Sequence, residues 1–404
     1  MLPEIKNQNR IEITEKKPTI NPYFIVISNR FKTAKYITAC ILVVYLLAAV
    51  VLFRDEITVE NLRYLFKDIE MGENSITESS DIIKYDADIQ VQLATYKGDL
   101  VVAGSSYFYL CDLQGNKRLS ENSTFSNPIV LTGDKYLLVY GLSEHTYTLY
   151  NAFAQLHTAT TEYPISCAAL SNKGMYAIVT RTSEYRSVVY LYNESFKQIG
   201  AVYKDKYVMD VKFNNDGSEL LITSVYSKNG NYCTEIMNYV PYSESASSSV
   251  TVEGSLPLRT GYNANGGYSV VYDDKIEFYD SEFVVRNTYS YAPGVIPLTA
   301  DVGSDYTIIT YNENIVGDTI KVLVFDSNGD TVLDTTAEGQ AKKLRCDGKF
   351  IYILFDGKVG KINISENTVE YYNTERNAIE LLVINEKNVL VCFNNHTSKL
   401  NTVK

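Results

Sequence analysis

The sequence predicts an all-β protein, a β-propeller of eight blades preceded by a single apolar helix. Three observations support this prediction. Short β-prone runs broken by Gly, Asn and Asp begin near residue 82 and continue toward the carboxyl terminus. A turn signature recurs among them about every 40 residues, a period typical of propeller blades. Tyrosine, which suits half-buried pleated surfaces, is used 34 times, whereas tryptophan is absent.

The helix is predicted from Tyr36 to Phe53, eighteen residues without a charge. At ~1.5 Å per residue it spans roughly 27 Å, close to the hydrocarbon thickness of a bilayer. Residues 1–35 carry seven of the 37 Lys and Arg and three of the 48 Asp and Glu. The chain beyond residue 53 therefore has 30 basic and 45 acidic residues. Because the basic flank of a span stays in the cytoplasm, residues 1–35 are predicted to be a cytoplasmic tail. The carboxyl-terminal domain is then expected outside the cell membrane, which the chain crosses once at residues 36–53.

A permanent anchor fits this stretch better than a cleaved signal peptide, because residues 52–55 offer no small-residue cleavage site. Residues 54–72 then show the pattern of a juxtamembrane amphipathic helix, with Thr58 suited to its N-cap and Gly72 to its end. Two interpretations of its apolar stripe stay open. The stripe rests on the bilayer or on the outer domain, or it pairs with a second copy of the chain. Residues 73–81 are polar and are predicted to be a linker.

Two turn signatures predict the fold of the outer domain, residues 82–404. The first places Gly beside Asn, Asp, Ser or Lys between two apolar runs, and its glycines are expected to supply the positive φ of tight hairpins. They are Gly98, Gly133, Gly174, Gly217, Gly266, Gly303 and Gly348, with gaps of 35, 41, 43, 49, 37 and 45 residues. The second ends an apolar-aromatic strand with Asp or Asn, at Asp112, Asn151, Asn193, Asp280 and Asp326. Two hairpins per ~40 residues imply about four strands per unit, as in a propeller blade.

The blade count follows from the predicted inner strands. They start near Ile89, Ile129, Ile165, Val208, Leu256, Ile296, Lys342 and Ile379, which gives eight blades. The last unit has about three strands before the sequence ends, so residues 82–85 are expected to supply its outer strand. Closing the ring with both ends of the domain removes open sheet edges. Seven blades with an irregular tail are the alternative.

A family resemblance rests on residues 211–221 and 168–177. The first segment, VKFNNDGSELL, resembles the F-S-P-D-G-x-x-L core of WD40-like repeats, and the second, AALSNKGMYA, is a weaker copy. Asn214 and Asn215 replace the usual Ser-Pro, and the Trp-Asp dipeptide is missing. The whole layout resembles uncharacterised envelope proteins of low-GC Gram-positive bacteria that combine a basic tail, one span, a short helix and a propeller. This resemblance implies a location and a fold but no activity.

Motifs for chemistry are scarce, and no catalytic, cofactor-binding or metal-binding residue is assigned. The acidic outer domain argues against nucleic acid, whose phosphates need a basic face. Gly267 and Ser269 start a G-x-S-x-G motif, but Val271 stands where its last Gly belongs. Residues 326–330 match a calcium loop only in part. Histidine is limited to His145, His157 and His396, and the Cys residues beyond the span, which are predicted to be buried free thiols, are Cys111, Cys167, Cys233, Cys346 and Cys392.

The function predicted from these features is a non-enzymatic binding or scaffolding module at the cell envelope, with a protein partner at one face of the propeller. Residues 181–186 and 203–207 mix charged and aromatic side chains and are candidates for that face, although solvated loop charge is the favoured interpretation. The alternative function is a sensor or enzyme that binds a small ligand or glycan in the central channel. Carboxylates and tyrosines around the channel would support this alternative.

Overall fold

The computed structural model describes residues 22–52, 82–242, 248–313 and 318–402. The chain divides into two units, Met1–Glu78 and Ser79–Lys404. The predicted juxtamembrane helix (54–72), the predicted linker (73–81) and the part of the predicted tail before residue 22 fall outside the described residues.

The first unit contributes one helix, α1 (Pro22–Leu52), of 31 residues. It begins at Pro22, 14 residues before the predicted span. Proline suits the first helical position because its φ is helical and the N–H that it lacks would be unbonded there. Within it, Arg30–Ala48 has a mean hydropathy of 1.5 and no buried residue. This segment is long and apolar enough to cross a bilayer, a test that a signal sequence near the amino terminus would also pass.

The second unit is built from antiparallel strands. In chain order the described strands are β1 (Ile82–Lys84), β2 (Gln92–Tyr96), β3 (Asp99–Ala103), β4 (Phe108–Cys111), β5 (Lys117–Glu121), β6 (Pro128–Thr132), β7 (Leu137–Gly141), β8 (Thr146–Tyr150), β9 (Gln155–Thr160), β10 (Cys167–Leu170), β11 (Tyr176–Thr180), β12 (Ser187–Tyr192), β13 (Gln198–Lys204), β14 (Tyr207–Phe213), β15 (Leu220–Lys228), β16 (Asn231–Tyr239), β17 (Ser248–Glu253), β18 (Pro257–Tyr262), β19 (Tyr268–Tyr272), β20 (Lys275–Tyr279), β21 (Val285–Ser290), β22 (Thr299–Val302), β23 (Tyr306–Asn312), β24 (Thr319–Asp326), β25 (Thr331–Glu338), β26 (Lys343–Asp347), β27 (Phe350–Phe355), β28 (Lys358–Asn363), β29 (Thr368–Asn373), β30 (Glu380–Asn385), β31 (Asn388–Cys392) and β32 (His396–Asn401).

These strands form eight four-stranded sheets, so the predicted eight-bladed propeller is confirmed. Blades I to VII each use four consecutive strands, starting from β2, β6, β10, β14, β18, β22 and β26. The inner strands of neighbouring blades contact one another around the ring, and β30 contacts β2 to complete it. Each inner strand begins within three residues of its predicted start.

Blade VIII closes the ring with strands from both ends of the domain. Its order is β1-β32-β31-β30, so β1 is the outer strand, as predicted. Ile83 pairs with Thr397 in an antiparallel register, and its side chain is buried between blades VIII and I. The hydroxyl of Tyr85 donates to the carbonyl oxygen of Phe393, 2.6 Å away, although that residue lies 308 positions along the chain.

The strand order gives the ring two different faces. Within each blade the first and third hairpin turns lie on one face, and the second turn lies on the other with the connection to the next blade. We call these the turn face and the loop face. The chain enters β1 and leaves β32 at the turn face.

Asparagine and aspartate side chains cap the turns of the turn face. The oxygen Oδ1 of Asp112 accepts hydrogen bonds from the backbone N–H groups of Gln114 and Asn116, at 3.0 and 2.9 Å. The same arrangement recurs at Asn151, Asn193, Asp280 and Asp326. The second turn signature in the sequence is therefore a repeated cap, since each side chain satisfies donors that the turn leaves unpaired.

The glycines of the first turn signature do not all have the positive φ that the sequence predicted. The expectation holds at Gly98, Gly174, Gly217, Gly266 and Gly348. It is wrong at Gly133 and Gly303, whose φ angles are not positive. A Cβ atom at Gly133 would lie 2.7 Å from the backbone oxygen of Ser171 in the next blade, so close packing between blades requires this glycine.

The hydrophobic core is divided among the interfaces between blades. One cluster joins blades III and IV, another joins IV and V, and another joins VI and VII. Between blades I and II, Phe108 stacks on Tyr150 with ring centroids 4.3 Å apart. Each sheet therefore buries both faces against its neighbours, and a single blade has no core of its own.

The closing strand offers a direct test of this arrangement. Ile83→Ala removes buried apolar atoms between blades VIII and I and is expected to lower the free energy of unfolding by about 2–4 kcal/mol. The neighbouring Ile82 is 41% exposed, so Ile82→Ala is a matched control with an expected change within about 0.5 kcal/mol. Urea unfolding of the full chain in detergent measures both. Equal losses in the two variants would contradict the closure.

Candidate functional site

An exposed apolar surface lies on the loop face of blades III to V. We call it the loop-face patch and define it by Tyr185, Tyr203, Tyr207, Met209, Leu256 and Leu258. Tyr203, Tyr207 and Met209 are 55%, 46% and 57% exposed, although they sit at the ends of strands that are otherwise largely half-buried. Several exposed large side chains in one area are typical of an interaction surface.

Contacts between two loops hold this patch in position. The rings of Tyr185 and Tyr203 lie 5.0 Å apart. The guanidinium of Arg186 sits 4.9 Å from the ring centre of Tyr207 and donates a hydrogen bond to its hydroxyl. The structure therefore brings together the two segments singled out in the sequence, residues 181–186 and 203–207, and orders them by stacking and cation–π contacts.

A carboxylate beneath the patch binds two lysines. Glu235 on β16 accepts hydrogen bonds from Nζ of Lys204 at 2.7 Å and from Nζ of Lys206 at 2.6 Å. Burial alone would raise the pKa of Glu235, but the two lysines outweigh it and hold that pKa below its ordinary value. Lys206 also lies 4.5 Å from the ring centre of Tyr226. The charges predicted to be solvated loop charge are thus partly internal.

A recess of about 370 Å³ opens between the inner strands of blades IV and V. Its side chains combine charged groups with an apolar rim, and they include Met209, Asp210, Lys212, Leu258, Arg259 and Thr260. Both inner strands have an irregular register here, between Val208 and Asp210 in β14 and between Pro257 and Arg259 in β18. Such bulges re-aim side chains and are frequent beside functional sites.

Lys212 and Asp210, two charged groups of the recess, form hydrogen bonds with the backbone rather than an ion pair with each other. Nζ of Lys212 donates to the carbonyl oxygen of Thr260 at 2.6 Å, which links the two blades. Oδ1 of Asp210 accepts from the backbone N–H of Val211 at 3.0 Å. Burial raises the pKa of Asp210 above its ordinary value, although Lys212 and Arg259 oppose that shift.

The charged side chains between the inner strands of blades VII and VIII are arranged differently. There Lys343 and Arg345 of β26 both bind Glu380 of β30, each at 3.0 Å. The two cations share one carboxylate, so both are ion-paired within the protein. In the recess between blades IV and V, by contrast, the cations of the inner strands lie beside a cavity.

Residues 71–401 match the model of a family of unknown function, DUF5711. This chain belongs to that family. No curated protein sequence matches it. The predicted resemblance to an uncharacterised propeller family is supported to that extent.

Solved structures show the fold that this DUF5711 chain shares with other propellers. The WD40 domain of SCAP from fission yeast is similar with a TM-score of 0.52 and 9% identity, over 79% of this chain and 96% of that one. The dihydro-heme d1 dehydrogenase NirN, in complex with DHE, is similar with a TM-score of 0.53 and 10% identity, over 76% of this chain and 69% of that one. At these identities the similarity shows the fold alone.

The other candidates from the sequence occupy structural positions in the DUF5711 chain. His157 stacks on Phe196 with ring centroids 5.1 Å apart, and His396 stacks on Phe393 at 4.4 Å. Ser269 lies in a buried strand and donates to Asn263, far from the geometry of a nucleophile elbow. All six cysteines are free thiols. Of the five predicted to be buried, Cys111, Cys233 and Cys392 are buried, whereas Cys167 and Cys346 are only partly buried. The described residues contain no cluster of three or more side chains suited to a metal ion.

Sequence reasoning missed the recess, although a signal for it was present. Asp210, Lys212 and Arg259 interrupt strands that the repeat pattern placed innermost, where apolar residues dominate. A charge in an innermost strand either pairs across a blade interface or faces the channel. The sequence does not distinguish these outcomes, because the partner comes from another blade.

The lysine pair on Glu235 yields a prediction about stability. Glu235→Gln leaves Lys204 and Lys206 without their carboxylate and is expected to lower the free energy of unfolding by about 1–3 kcal/mol. Glu253→Gln is the control, because the pair of Glu253 with Lys228 is more than half exposed and worth about 0–1 kcal/mol.

The pH dependence follows from the lowered pKa of Glu235. A depressed pKa stabilises the fold fully above the unfolded-state value of 4.5, and this stabilisation is lost as the pH falls through the folded-state pKa. The difference between wild type and Glu235→Gln should therefore be full at pH 7 and shrink below pH 4.5. A difference that grows on acidification would contradict this assignment.

Proposed function

We propose that this chain is a membrane-anchored binding module whose propeller binds a protein partner through the loop-face patch. The observation that carries this proposal is the ordered, exposed aromatic surface on blades III to V. Tyrosine, methionine and arginine are enriched in protein interfaces, and all three occur in or directly beside the patch. A non-enzymatic scaffolding role at the cell envelope is the function that such a surface supports.

The ordering of the patch favours binding over simple solvation. Tyr185, Tyr203 and Tyr207 are already held by stacking and by Arg186, so a partner would lose little side-chain entropy on docking. Tyrosine also has few rotatable bonds and combines an apolar ring with a polar end, which suits adaptable contacts. The turn face is dominated by capped hairpins, so the variable loops of the opposite face are the natural place for recognition.

Anchoring by α1 is the second part of the proposal. The apolar side chains of its Arg30–Ala48 segment are exposed, which in water would be costly and in lipid is expected. The basic leader supports a cytoplasmic amino terminus with the propeller outside the membrane. Self-association through residues 54–72 stays a prediction, since it lies outside the described residues.

A second candidate function is ligand binding at the central channel, and the recess between blades IV and V favours it. This recess lies on inner strands and combines Asp210, Lys212 and Arg259 with an apolar rim. Convergent polar groups in a concave apolar site are typical of ligand recognition.

The anchor is tested by placing charges in its centre. Val44→Arg combined with Leu47→Arg adds about 2.5–3.5 kcal/mol per residue to insertion, so the chain should leave the carbonate-washed membrane fraction. Val44→Leu with Leu47→Val is the matched control and should remain there. For topology, the six native cysteines are first changed to alanine. In that background an impermeant maleimide should label Gln114→Cys on intact cells but not Gln8→Cys. Wild-type chain in the soluble fraction, or the reverse labelling, would contradict the proposal.

The docking surface is tested by comparing its two faces. Tyr203→Ser with Tyr207→Ser and Met209→Ser removes the exposed centre of the patch, and recovery of the partner from detergent-solubilised membranes should fall at least tenfold. Val284→Ser with Val285→Ser is the control, because these residues are exposed at the opposite face. Quantitative mass spectrometry of tagged full-length chain measures both. Equal recovery of the partner with the two variants would contradict docking at the loop-face patch.

A further inference from the structure

The two cations of the recess between blades IV and V differ from other cations on the inner strands. Lys343 and Arg345 are both paired with Glu380. Lys212 and Arg259, by contrast, form no ion pair within 4 Å among the residues that the structure describes. Together with Asp210 they leave the recess with one excess positive charge.

Both cations keep hydrogen-bond donors for a ligand. Lys212 uses one donor on the carbonyl oxygen of Thr260, and an ammonium group has three. One terminal nitrogen of Arg259 donates to the carbonyl oxygen of Leu258 at 2.9 Å, and a guanidinium has five N–H donors. Donors of this kind bind carboxylates with strong, charge-assisted hydrogen bonds.

The carboxylate of Asp210 narrows the choice of anion. Its Oδ2 has a long contact of 3.4 Å with the hydroxyl of Thr260, so it retains capacity to accept. A doubly charged phosphate would be repelled by this carboxylate, whereas a monocarboxylate that carries a neighbouring donor would satisfy it. Ammonium, hydroxyl and amide N–H groups are all suitable donors.

The rim of the recess provides an apolar contact. Met209 and Leu258 stand at the two bulges, one on each inner strand, and are 57% and 36% exposed. A volume of about 370 Å³ lies at the small end of the range for ligand pockets. The recess therefore suits a small molecule with an apolar side chain rather than a large cofactor.

We propose that the recess binds the carboxylate of an apolar α-amino or α-hydroxy acid, either free or as the last residue of a peptide. Lys212 and Arg259 bind the carboxylate, Asp210 accepts from the adjacent donor, and Met209 and Leu258 cover the side chain. This proposal rests on the second candidate function above and names its ligand, and the site shares Met209 and Leu258 with the loop-face patch.

The test uses the full chain in detergent and isothermal titration calorimetry with four probes. L-leucine, its 2-hydroxy acid analogue and N-acetyl-L-leucine carry the carboxylate, and L-leucinamide lacks it. At least one of the three carboxylates should bind saturably, and leucinamide should bind at least tenfold more weakly. Tighter binding of N-acetyl-L-leucine than of L-leucine would indicate a peptide end, and the opposite order a free acid.

Variants then assign the binding to the recess. Lys212→Met and Arg259→Gln should each weaken binding at least tenfold, whereas Lys343→Met, which removes a paired cation from another inner strand, should bind as wild type. Arg259 is exposed, so its variant should retain the wild-type melting temperature and report on binding alone. The proposal is overturned if no carboxylate binds, if inorganic phosphate binds as tightly, or if Lys343→Met weakens binding as much as Arg259→Gln.

Discussion

Burial of every sheet against two neighbours is the constraint on which the propeller depends. Each blade has two largely apolar faces, and the clusters between blades are its core. A missing blade or an open ring would expose such a face along with an unpaired strand edge. The outer strand β1 is only three residues long, but it completes blade VIII and buries Ile83 between blades VIII and I.

The same constraint explains why charges on the inner strands are informative. Inner strands are crowded by both neighbouring blades, so a charged side chain there needs a partner from another blade, a backbone carbonyl or a ligand. Glu380 provides the partner between blades VII and VIII. Between blades IV and V, two bulged strands leave a cavity, and no carboxylate of the described residues, Asp210 included, forms an ion pair with Lys212 or Arg259 there. Departures from local regularity of this kind are where function is expected in a repeat fold.

The two faces of the ring divide structural and functional roles. On the turn face, capping side chains such as Asp112 and Asp280 repeat from blade to blade and keep the hairpins tight. The loop face carries connections of differing length and chemistry, and the exposed tyrosines of blades III to V lie there. Because the turns of the turn face have a structural role, recognition is expected at the loop face, whose connections differ from blade to blade.

The sequence by itself determined that an apolar helix is present, favoured eight blades over seven, and placed the start of each inner strand and the hairpin turns. These features depend on local periodicity and turn chemistry, which act over a few residues. The tertiary structure decided which residues meet across blades. It showed that Gly133 is needed for contact with Ser171, and it placed Arg259 beside Lys212. These residues are distant in the chain, and their meeting depends on bulges and on packing between sheets, neither of which a local pattern specifies.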